Sequence, residues 1–371
     1  MAVTSHLAAI RHERGVAAAD LAKRAGVSRQ TIYAIESGSY VPNTTLALRL
    51  ARELAVSVED LFSLSEAGVH TEETVRATLL SSSQEEANRG VRLARLKDRW
   101  VAASVDSVPH YLPDADGIVT HPARGPSEAS VHLIGAAETL SKRLFIAGCD
   151  PALGWLARMA EKLSGVEIVT VPASSRRALE WLKRGLVHIA GSHLEDPHSG
   201  EFNLPFLRRL MPREDLAVVT FARWEEGFVV ARGNPFGIRQ AGDLVHPRIR
   251  LINRETGSGS RALLESLLGK AGIPYGKVKG YDQVASGHLD AALAVASGAA
   301  DCCVATPSAA RAFGLDFIPL HGERFDFAVR REFLDHAGVR CILDALQRAT
   351  LRRKLESLAG YDTSETGRVL A

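Results

Sequence analysis

The sequence predicts a multidomain protein with an all-α head, a small β-containing connector and a large two-lobed α/β domain. Its 371 residues are too many for one ordinary hydrophobic core. Between Leu7 and Phe62, apolar residues recur at helical spacing in short runs, as in a bundle of small helices. From Arg143 onward, short apolar strands alternate with helical patterns, which is typical of a mainly parallel α/β fold with room for two sheets.

The composition is that of a globular protein, with 46% hydrophobic and 24% charged residues, and this disfavours the disordered and fibrous classes. The net charge is only +2, so any affinity for nucleic acid must come from a local patch. The first 52 residues supply such a patch, with seven cationic side chains against three anionic ones. No secretion signal, long apolar run or paired CxxC spacing is evident, so we expect a cytoplasmic protein with reduced cysteines and no contact with a membrane.

A tight turn with its own helix signals lies near the N-terminus. Gly26 can end one helix and Ser28 can cap the next, in which Ile32 and Ile35 share a buried face. The run 21–38 resembles the helix-turn-helix of phage-repressor, or XRE-type, regulators. That resemblance implies that the helix after the turn enters the major groove of DNA. The residues expected to contact a double-stranded operator are Ser28, Arg29, Gln30, Thr31, Tyr33 and Asn43.

Two features depart from this family pattern. Ala17 and Ala18 stand where the family usually begins a helix with a hydroxyl cap and a glutamine, and Ser39 replaces a frequent Lys or Arg. Both changes remove contacts with the DNA backbone, which weakens the affinity of one protomer. We therefore expect a homodimer that engages two half-sites at once.

The connector is predicted from a change of pattern after the head. Alternating apolar residues around Val91 and Leu93, and again around Trp100, indicate short strands with a turn at Lys97 and Asp98. The expected boundaries are 1–66 for the head, 67–141 for the connector, 142–224 with 325–371 for lobe I, and 225–324 for lobe II.

A loop of glycines and hydroxyl residues is the strongest local signal in the α/β domain. The loop 256–260 follows a strand and opens a helix, so backbone N–H groups and the helix dipole point at whatever lies above it. The side chain of Arg261 adds positive charge. Neither the lysine nor the glycine spacing of a P-loop or dinucleotide fingerprint is present. The sequence therefore predicts a cradle for a small anion.

Three further strand-to-helix corners, at 148–151, 173–176 and 190–193, carry small and polar residues. In open α/β folds, ligands bind at the carboxyl ends of strands, so these corners leave room for a ligand between two lobes. The residues expected to line this site are Cys149, Asp150, Ser174, Ser175, Arg176, Ser192, His193, Thr256, Gly257, Ser258, Gly259, Ser260, Arg261 and Ser286.

Several phrases of this domain resemble the periplasmic-binding-protein-like domain related to molybdate-binding proteins. They are Ala147-Gly-Cys-Asp-Pro-Ala-Leu, Asn253-Arg-Glu-Thr-Gly-Ser-Gly-Ser-Arg and Leu358-Ala-Gly-Tyr-Asp. The resemblance implies a type II fold whose two lobes close on an oxyanion such as molybdate or tungstate. Arg176 and Arg177 stand where glycines are usual, and an added cation favours a more highly charged or an organic anion.

The functional hypothesis is a transcriptional regulator, not an enzyme, that senses a small anion. An enzyme or anion-binding protein of molybdenum-cofactor metabolism, and a sensor of a small organic anion, remain alternatives. No catalytic residues or cofactor are expected, because no paired carboxylates or triad emerge from the sequence. His193, Glu195, Asp196 and His198 match no familiar zinc spacing, so no metal site is expected.

Overall fold

The computed structural model describes residues 2–65, 74–80, 89–105, 114–121, 128–134, 136–140, 142–212 and 215–371. The chain forms two compact units, 1–73 and 74–371. The boundaries expected at 66–67 and at 141 lie outside the described residues.

The first unit is the helical head. Its elements are β1 (Ala2–Ser5), α1 (Leu7–Glu13), α2 (Ala18–Ala25), α3 (Arg29–Glu36), α4 (Thr44–Leu54), α5 (Val58–Leu61) and β2 (Phe62–Ser65). Leu21, Ile32 and Ile35 are fully buried in its core, at the spacing that the helical pattern predicts. Strands β1 and β2 pair antiparallel, which adds a two-stranded sheet that helical periodicity does not reveal.

Helix α3 is held at both ends. At its start, Ser28 Oγ accepts a hydrogen bond from the N–H of Thr31 at 3.0 Å, just after Gly26 ends α2 with a φ of 72°. At its end, Glu36 Oε1 accepts a hydrogen bond from the buried Nε of Arg11 at 2.6 Å. A charge-assisted bond between a buried guanidinium and a half-buried carboxylate fixes α3 against α1.

The predicted connector is a closed barrel of five strands. They are β3 (Thr74–Leu79), β4 (Gly90–Leu96), β5 (Arg99–Ser104), β6 (Gly117–His121) and β7 (Glu128–Leu133), joined in the order β3-β5-β4-β6-β7. The β4–β5 hairpin turns at Lys97 and Asp98, as the alternation predicts. Val91 and Leu93 are fully buried in the barrel core.

This barrel packs directly on the α/β domain. Leu96 and Val101 of the barrel share one buried cluster with Phe145 of the α/β domain. At the same junction the guanidinium of Arg143 donates to the carboxylate of Asp116, which also accepts a hydrogen bond from the backbone of Leu93 in the barrel. The connector is therefore a structural part of the second unit and not merely a link to it.

The α/β domain is built on one eight-stranded sheet, in the order β13-β12-β14-β11-β15-β10-β8-β9. Among the described residues, no helix is both long enough and apolar enough to cross a bilayer. The elements are α6 (Ala137–Leu140), β8 (Leu144–Gly148), α7 (Leu153–Ser164), β9 (Ile168–Pro172), α8 (Ser175–Lys183), β10 (Ile189–Ser192), α9 (Leu204–Leu210), β11 (Leu216–Val230), β12 (Leu251–Arg254), α10 (Gly259–Lys270), β13 (Val284–Ala285), α11 (His288–Ala296), β14 (Cys302–Ala305), α12 (Pro307–Ala312), β15 (Asp316–Arg330), α13 (Ala337–Leu346) and α14 (Ala349–Lys354).

Two long strands make this sheet continuous. The antiparallel strands β11 and β15 pair along their whole length and pass from lobe I, which contains β8, β9 and β10, into lobe II, which contains β12, β13 and β14. The pairing shifts register at Glu226 and Gly227, where a Cβ on Gly227 would lie 2.1 Å from the carbonyl oxygen of Ile318. A single sheet therefore runs through both lobes, whereas the sequence pattern allowed two separate sheets.

A buried histidine joins two strands of lobe I. The backbone N–H of Phe145 donates to Nδ1 of His188 at 3.0 Å, and the N–H of His188 donates back to the carbonyl of Phe145 at 3.1 Å. The first contact requires an unprotonated Nδ1. Burial, and then the nearby His336, lower the pKa of His188 to about 3.

Replacing His188 with glutamine should make the protein less sensitive to acid. Unfolded histidine binds a proton near its ordinary pKa of about 6.5, whereas folded His188 resists protonation down to about 3. Its contribution to stability is therefore complete above about pH 6.5 and is lost as the pH falls toward 3. Between pH 7 and pH 4, we expect the free energy of unfolding of H188Q to fall by roughly 2–3 kcal/mol less than that of the parent. Calorimetric Tm against pH measures this, with the exposed His198→Gln as control; parallel curves for H188Q and the parent would contradict it.

Candidate functional site

The exposed face of α3 carries three of the predicted DNA-contacting residues. Arg29 and Gln30 are exposed in its first turn, while Ile32 faces the core. Tyr33 is 43% exposed, and its hydroxyl accepts hydrogen bonds from Nε and Nη2 of Arg29 at 3.0 and 2.7 Å. Arg29 and Tyr33 therefore form one unit on this face, and Gln30 presents an exposed amide in the same turn.

The other three predicted residues belong to helix caps. The hydroxyls of Ser28 and Thr31 lie 2.9 Å apart at the start of α3. The side-chain oxygen of Asn43 accepts the N–H of Leu46 at 2.9 Å at the start of α4. Ala17 makes no side-chain cap on α2, because a methyl group cannot accept a hydrogen bond. These residues position the exposed helix in addition to any contact that they make with DNA.

In the α/β domain, the predicted corners of the two lobes meet. The N–H of His193, just after β10, donates to Ser175 Oγ at 3.1 Å, and the N–H of Arg176 donates across the lobes to the carbonyl of Gly257 at 3.3 Å. A Cβ on Gly259 would lie 2.5 Å from Cε1 of His193. The first turns of α8 and α10 therefore approach each other around the ring of His193, in a closed cleft.

His193 stands at the centre of this cleft. Its Nε2 lies 3.2 Å from Sγ of Cys149, and its Nδ1 lies 2.9 Å from Oε2 of Glu323 on β15. Burial alone would lower the pKa of His193, but Cys149 and Glu323 beside the ring raise that pKa well above its ordinary value. A protonated His193 forms a buried ion pair with Glu323.

A second buried carboxylate comes from β11. Glu226 Oε1 accepts a hydrogen bond from Ser260 Oγ at 2.9 Å and lies 3.7 Å from Nε2 of His288. Burial, and then the neighbouring Glu323, raise the pKa of Glu226 to about 7. Ser260, predicted to bind an anion, thus donates its hydroxyl to a protein carboxylate.

Around Glu226 and Glu323, several buried polar atoms of the described residues have no hydrogen-bond partner. They are Nη1 of Arg254, Nε1 of Trp224, Oε2 of Glu226 and both ring nitrogens of His288. Arg254 is 1% exposed, and its other guanidinium nitrogens bind the neighbouring Glu255. Buried polar groups in proteins are almost always hydrogen-bonded, so such a concentration marks a place suited to a polar ligand.

Other predicted ligand residues use their side chains elsewhere. Ser192 donates to Asn203 at 2.9 Å inside lobe I. Asp150 accepts from the hydroxyl of Tyr361 at 2.7 Å and from the backbone N–H of Ala152, so it stabilises its own corner. Burial raises the pKa of Asp150 to about 6.

The remaining predicted residues of lobe II also have local roles. Ser258 caps α10, and Arg261 donates to Glu265 at 2.8 Å on the same helix. Ser286 donates to Asp290, and Thr256 is exposed. In lobe I, Ser174 is buried at the start of α8 without a side-chain cap.

Four of the central residues are not among the ligand-binding residues that the sequence predicts. Glu226 and Glu323 lie inside long strands, and Arg254 and His288 lie at the edges of the predicted loops. A charged residue within an apolar strand pattern is the only signal that could have indicated the glutamates.

A cavity of about 580 Å³ opens onto Cys149 and His288. The barrel contributes Leu80 and Ala103 to its wall, and Trp181 of α8 also lines it. The cavity therefore reaches one side of the cleft, at Cys149 and His288, from the side of the barrel.

Comparison with known proteins follows the same division of the chain. Residues 156–347 match the model of the PBP superfamily domain, and residues 7–61 match a helix-turn-helix model. An uncharacterized protein of Bacillus subtilis, YvgK, is 31% identical over 227 residues, which are 61% of this chain and 73% of that protein. An uncharacterized HTH-type transcriptional regulator of Methanocaldococcus jannaschii is 56% identical over 43 residues, which are 12% of this chain and 65% of that protein.

Solved structures of low sequence identity are also similar. A putative phosphate ABC transporter substrate-binding protein of Clostridium perfringens, with bound phosphate, is 13% identical, with a TM-score of 0.45 over 59% of this chain and 98% of its own. The sulfate-binding protein SubI of Mycobacterium tuberculosis is 18% identical, with a TM-score of 0.44 over 59% of this chain and 85% of its own.

Replacing Gly259 with alanine should destabilise the closed cleft. The added Cβ would meet His193 at 2.5 Å and displace its ring from Glu323. We expect the free energy of unfolding to fall by about 1–3 kcal/mol, as it does at other overpacked sites. Gly269→Ala is the matched control in the same helix, because nothing lies within 4 Å of its added Cβ. Calorimetric Tm compares the two; equal Tm values for G259A and G269A would contradict the prediction.

Proposed function

This chain belongs to the PBP superfamily and carries a helix-turn-helix domain at its N-terminus, and from that premise we propose that it is a DNA-binding transcriptional regulator whose two-lobed domain binds a small anion. We further propose that it acts in the cytoplasm as a homodimer, in which two heads read two half-sites. The observation that carries the anion half of the proposal is that the starts of α8 and α10 meet beside the buried Arg254.

The exposed turn of α3 supports the DNA half. A glutamine amide there can read an adenine edge, and arginine and tyrosine can contact bases or phosphates. Gln30 is exposed, and Arg29 and Tyr33 present a joined polar surface in the same turn. Glu36, which pairs with the buried Arg11, holds this helix in place from its far end.

The anion half is supported by donors that converge between the lobes. The first N–H groups of a helix have no acceptor within the helix, and the starts of α8 and α10 approach each other across the cleft. Arg254, buried with its Nη1 unpartnered among the described residues, adds a positive charge. Protein donors of this kind bind an anion more tightly when water is excluded.

Molybdate and tungstate are the first anions to test, with phosphate as their main rival. Molybdate and tungstate carry no proton near neutral pH, whereas phosphate does. Glu226, whose pKa is raised to about 7, can donate its proton to an unprotonated oxyanion or accept one from hydrogen phosphate. A panel of anions therefore shows whether the cleft prefers an oxyanion without a proton or one that carries a proton.

Ligand binding would act by favouring closure of the lobes. The hydrogen bond from Arg176 to Gly257 joins lobe I to lobe II, and a ligand between the helix starts binds the closed form better than an open one. A ligand shifts a conformational equilibrium only through this difference in affinity. We propose that closure alters the DNA affinity of the dimer.

One observation favours a second function. Sγ of Cys149 lies 3.2 Å from Nε2 of His193, and Nδ1 of the same ring lies 2.9 Å from Oε2 of Glu323. A thiol nucleophile, its base and an orienting carboxylate are arranged in this order. An enzyme that acts on a molybdenum-cofactor precursor or another anion would use this array. Turnover that Cys149→Ser abolishes would favour it.

Replacing Gln30 with alanine should weaken specific DNA binding. Loss of one amide contact to a base costs about 1–3 kcal/mol, or roughly 5- to 150-fold in affinity. The operator is first selected from random duplexes by the parent protein, and fluorescence anisotropy then compares affinities. The exposed Gln283→Ala, in the other unit, is the matched control. If selection yields no preferred sequence, the DNA half of the proposal fails.

The anion half predicts that at least one of molybdate, tungstate, sulfate and phosphate raises Tm. A ligand that binds only the native state contributes about 2.7 kcal/mol at one hundred times its Kd. Arg254→Gln should lower the affinity measured by calorimetric titration at least tenfold, since it removes the buried charge. Arg250→Gln is the control, because Arg250 pairs with Asp301 at 3.0 Å instead. A parent protein that responds to no anion contradicts this half alone.

A further inference from the structure

Three side chains with strong metal-binding atoms meet at the bottom of the cleft. Cys149 follows β8, His193 follows β10 and His288 begins α11, so they come from three separate parts of the chain. Sγ of Cys149 and one nitrogen from each histidine all lie within 4.8 Å of one another. We call these three residues the Cys-His-His cluster.

The environment of His288 points to a ligand. Its side chain is 1% exposed, and neither Nδ1 nor Nε2 has a hydrogen-bond partner among the described residues. Burial of an imidazole with both nitrogens unpaired costs free energy that one strong partner would offset. The cavity of about 580 Å³ reaches both His288 and Cys149, which provides a path for entry.

Glu323 orients His193 in the way that metal sites require. Metal-binding histidines almost always have a carboxylate, carbonyl or water on the ring nitrogen that does not bind the metal. Nδ1 of His193 lies 2.9 Å from Oε2 of Glu323, which leaves Nε2 directed at Cys149. Nε2 of His288 lies 3.7 Å from Oε1 of Glu226, which is too far for a hydrogen bond.

The spacing also suits a four-coordinate ion. With Zn–S near 2.3 Å and Zn–N near 2.0 Å, a tetrahedral angle separates the two donor atoms by about 3.5 Å. Cys149 Sγ and His193 Nε2 are 3.2 Å apart, so this pair needs only a small shift, and a nitrogen of His288 lies within 4.8 Å of both. One thiolate and two imidazoles favour Zn²⁺, Co²⁺ and Ni²⁺ over Mg²⁺ or Ca²⁺.

We propose that the Cys-His-His cluster binds one divalent transition-metal ion of the zinc class, with a fourth coordination position directed to the cavity. From the sequence, no metal site is expected at His193, Glu195, Asp196 and His198, and in the structure Asp196 pairs with Arg209 at 2.8 Å. The proposal does not depend on DNA binding or on an anion, although a metal-bound anion would unite it with the effector site.

Cobalt binding tests the proposal in the full chain. The protein is stripped with a chelator, which is then removed, and Co²⁺ is added alone; thiolate ligation gives an intense near-ultraviolet band, and tetrahedral geometry gives visible bands. We expect about one equivalent of Co²⁺ to bind and Zn²⁺ to displace it. Cys149→Ser should abolish the near-ultraviolet band, whereas Cys341→Ser, which changes another half-buried free thiol, should retain it.

Two further variants separate ligation from folding. H288Q should lower metal affinity more than tenfold, and E323Q should lower it by about 10- to 100-fold through loss of orientation. Both variants should keep the circular dichroism of the parent. Binding that is unaffected by C149S and H288Q, or a parent protein that binds less than half an equivalent, overturns the proposal.

Thiol reactivity provides a second readout, measured in Cys341→Ser so that Cys149 is the remaining half-buried thiol. Saturating Zn²⁺ should slow the reaction of Cys149 with a disulfide reagent at least tenfold, because a metal-bound thiolate is shielded. An equal rate with and without Zn²⁺ overturns the metal site and favours the thiol nucleophile. These assays contain neither DNA nor oxyanion, so their failure is distinct from failure of the proposed regulator function.

Discussion

The buried ring of His193 is the contact on which the cleft depends, because it joins three separate segments of the chain. It reaches Cys149 after β8, Glu323 on β15 and the glycine that opens α10. Removal of one partner from a buried ion pair leaves an uncompensated charge and costs about 3–5 kcal/mol. Closure of the lobes, the approach of the two helix starts and the position of the thiol therefore all rest on this side chain.

The two long strands bring charge into the middle of an apolar sheet. Glu226 and Glu323 lie on β11 and β15, whose neighbouring residues Phe221 and Phe325 are fully buried. Apolar residues of the same shape would be at least as stabilising there as ionisable ones. Such a local violation of core chemistry is expected where a protein binds a ligand. The two glutamates are therefore accounted for better by the proposed ligand site than by a contribution to stability.

The barrel connects the cleft with the rest of the chain. It shares a buried cluster with lobe I, and it forms one wall of the cavity that opens onto the Cys-His-His cluster. A ligand in that cavity would contact lobe I, lobe II and the barrel together.

Local signals in the sequence determined the helical head, the cap at Ser28, and the alternation of strands and helices in the α/β domain, because each depends on residues a few positions apart. The sequence also indicated Cys149 and His193 as cleft residues. Only the tertiary structure decided that Glu226 and Glu323 meet them, because antiparallel pairing of β11 with β15 joins residues about a hundred positions apart. Closure of the barrel depends in the same way on the pairing of β3 with β7, and no local pattern encodes such long-range pairing.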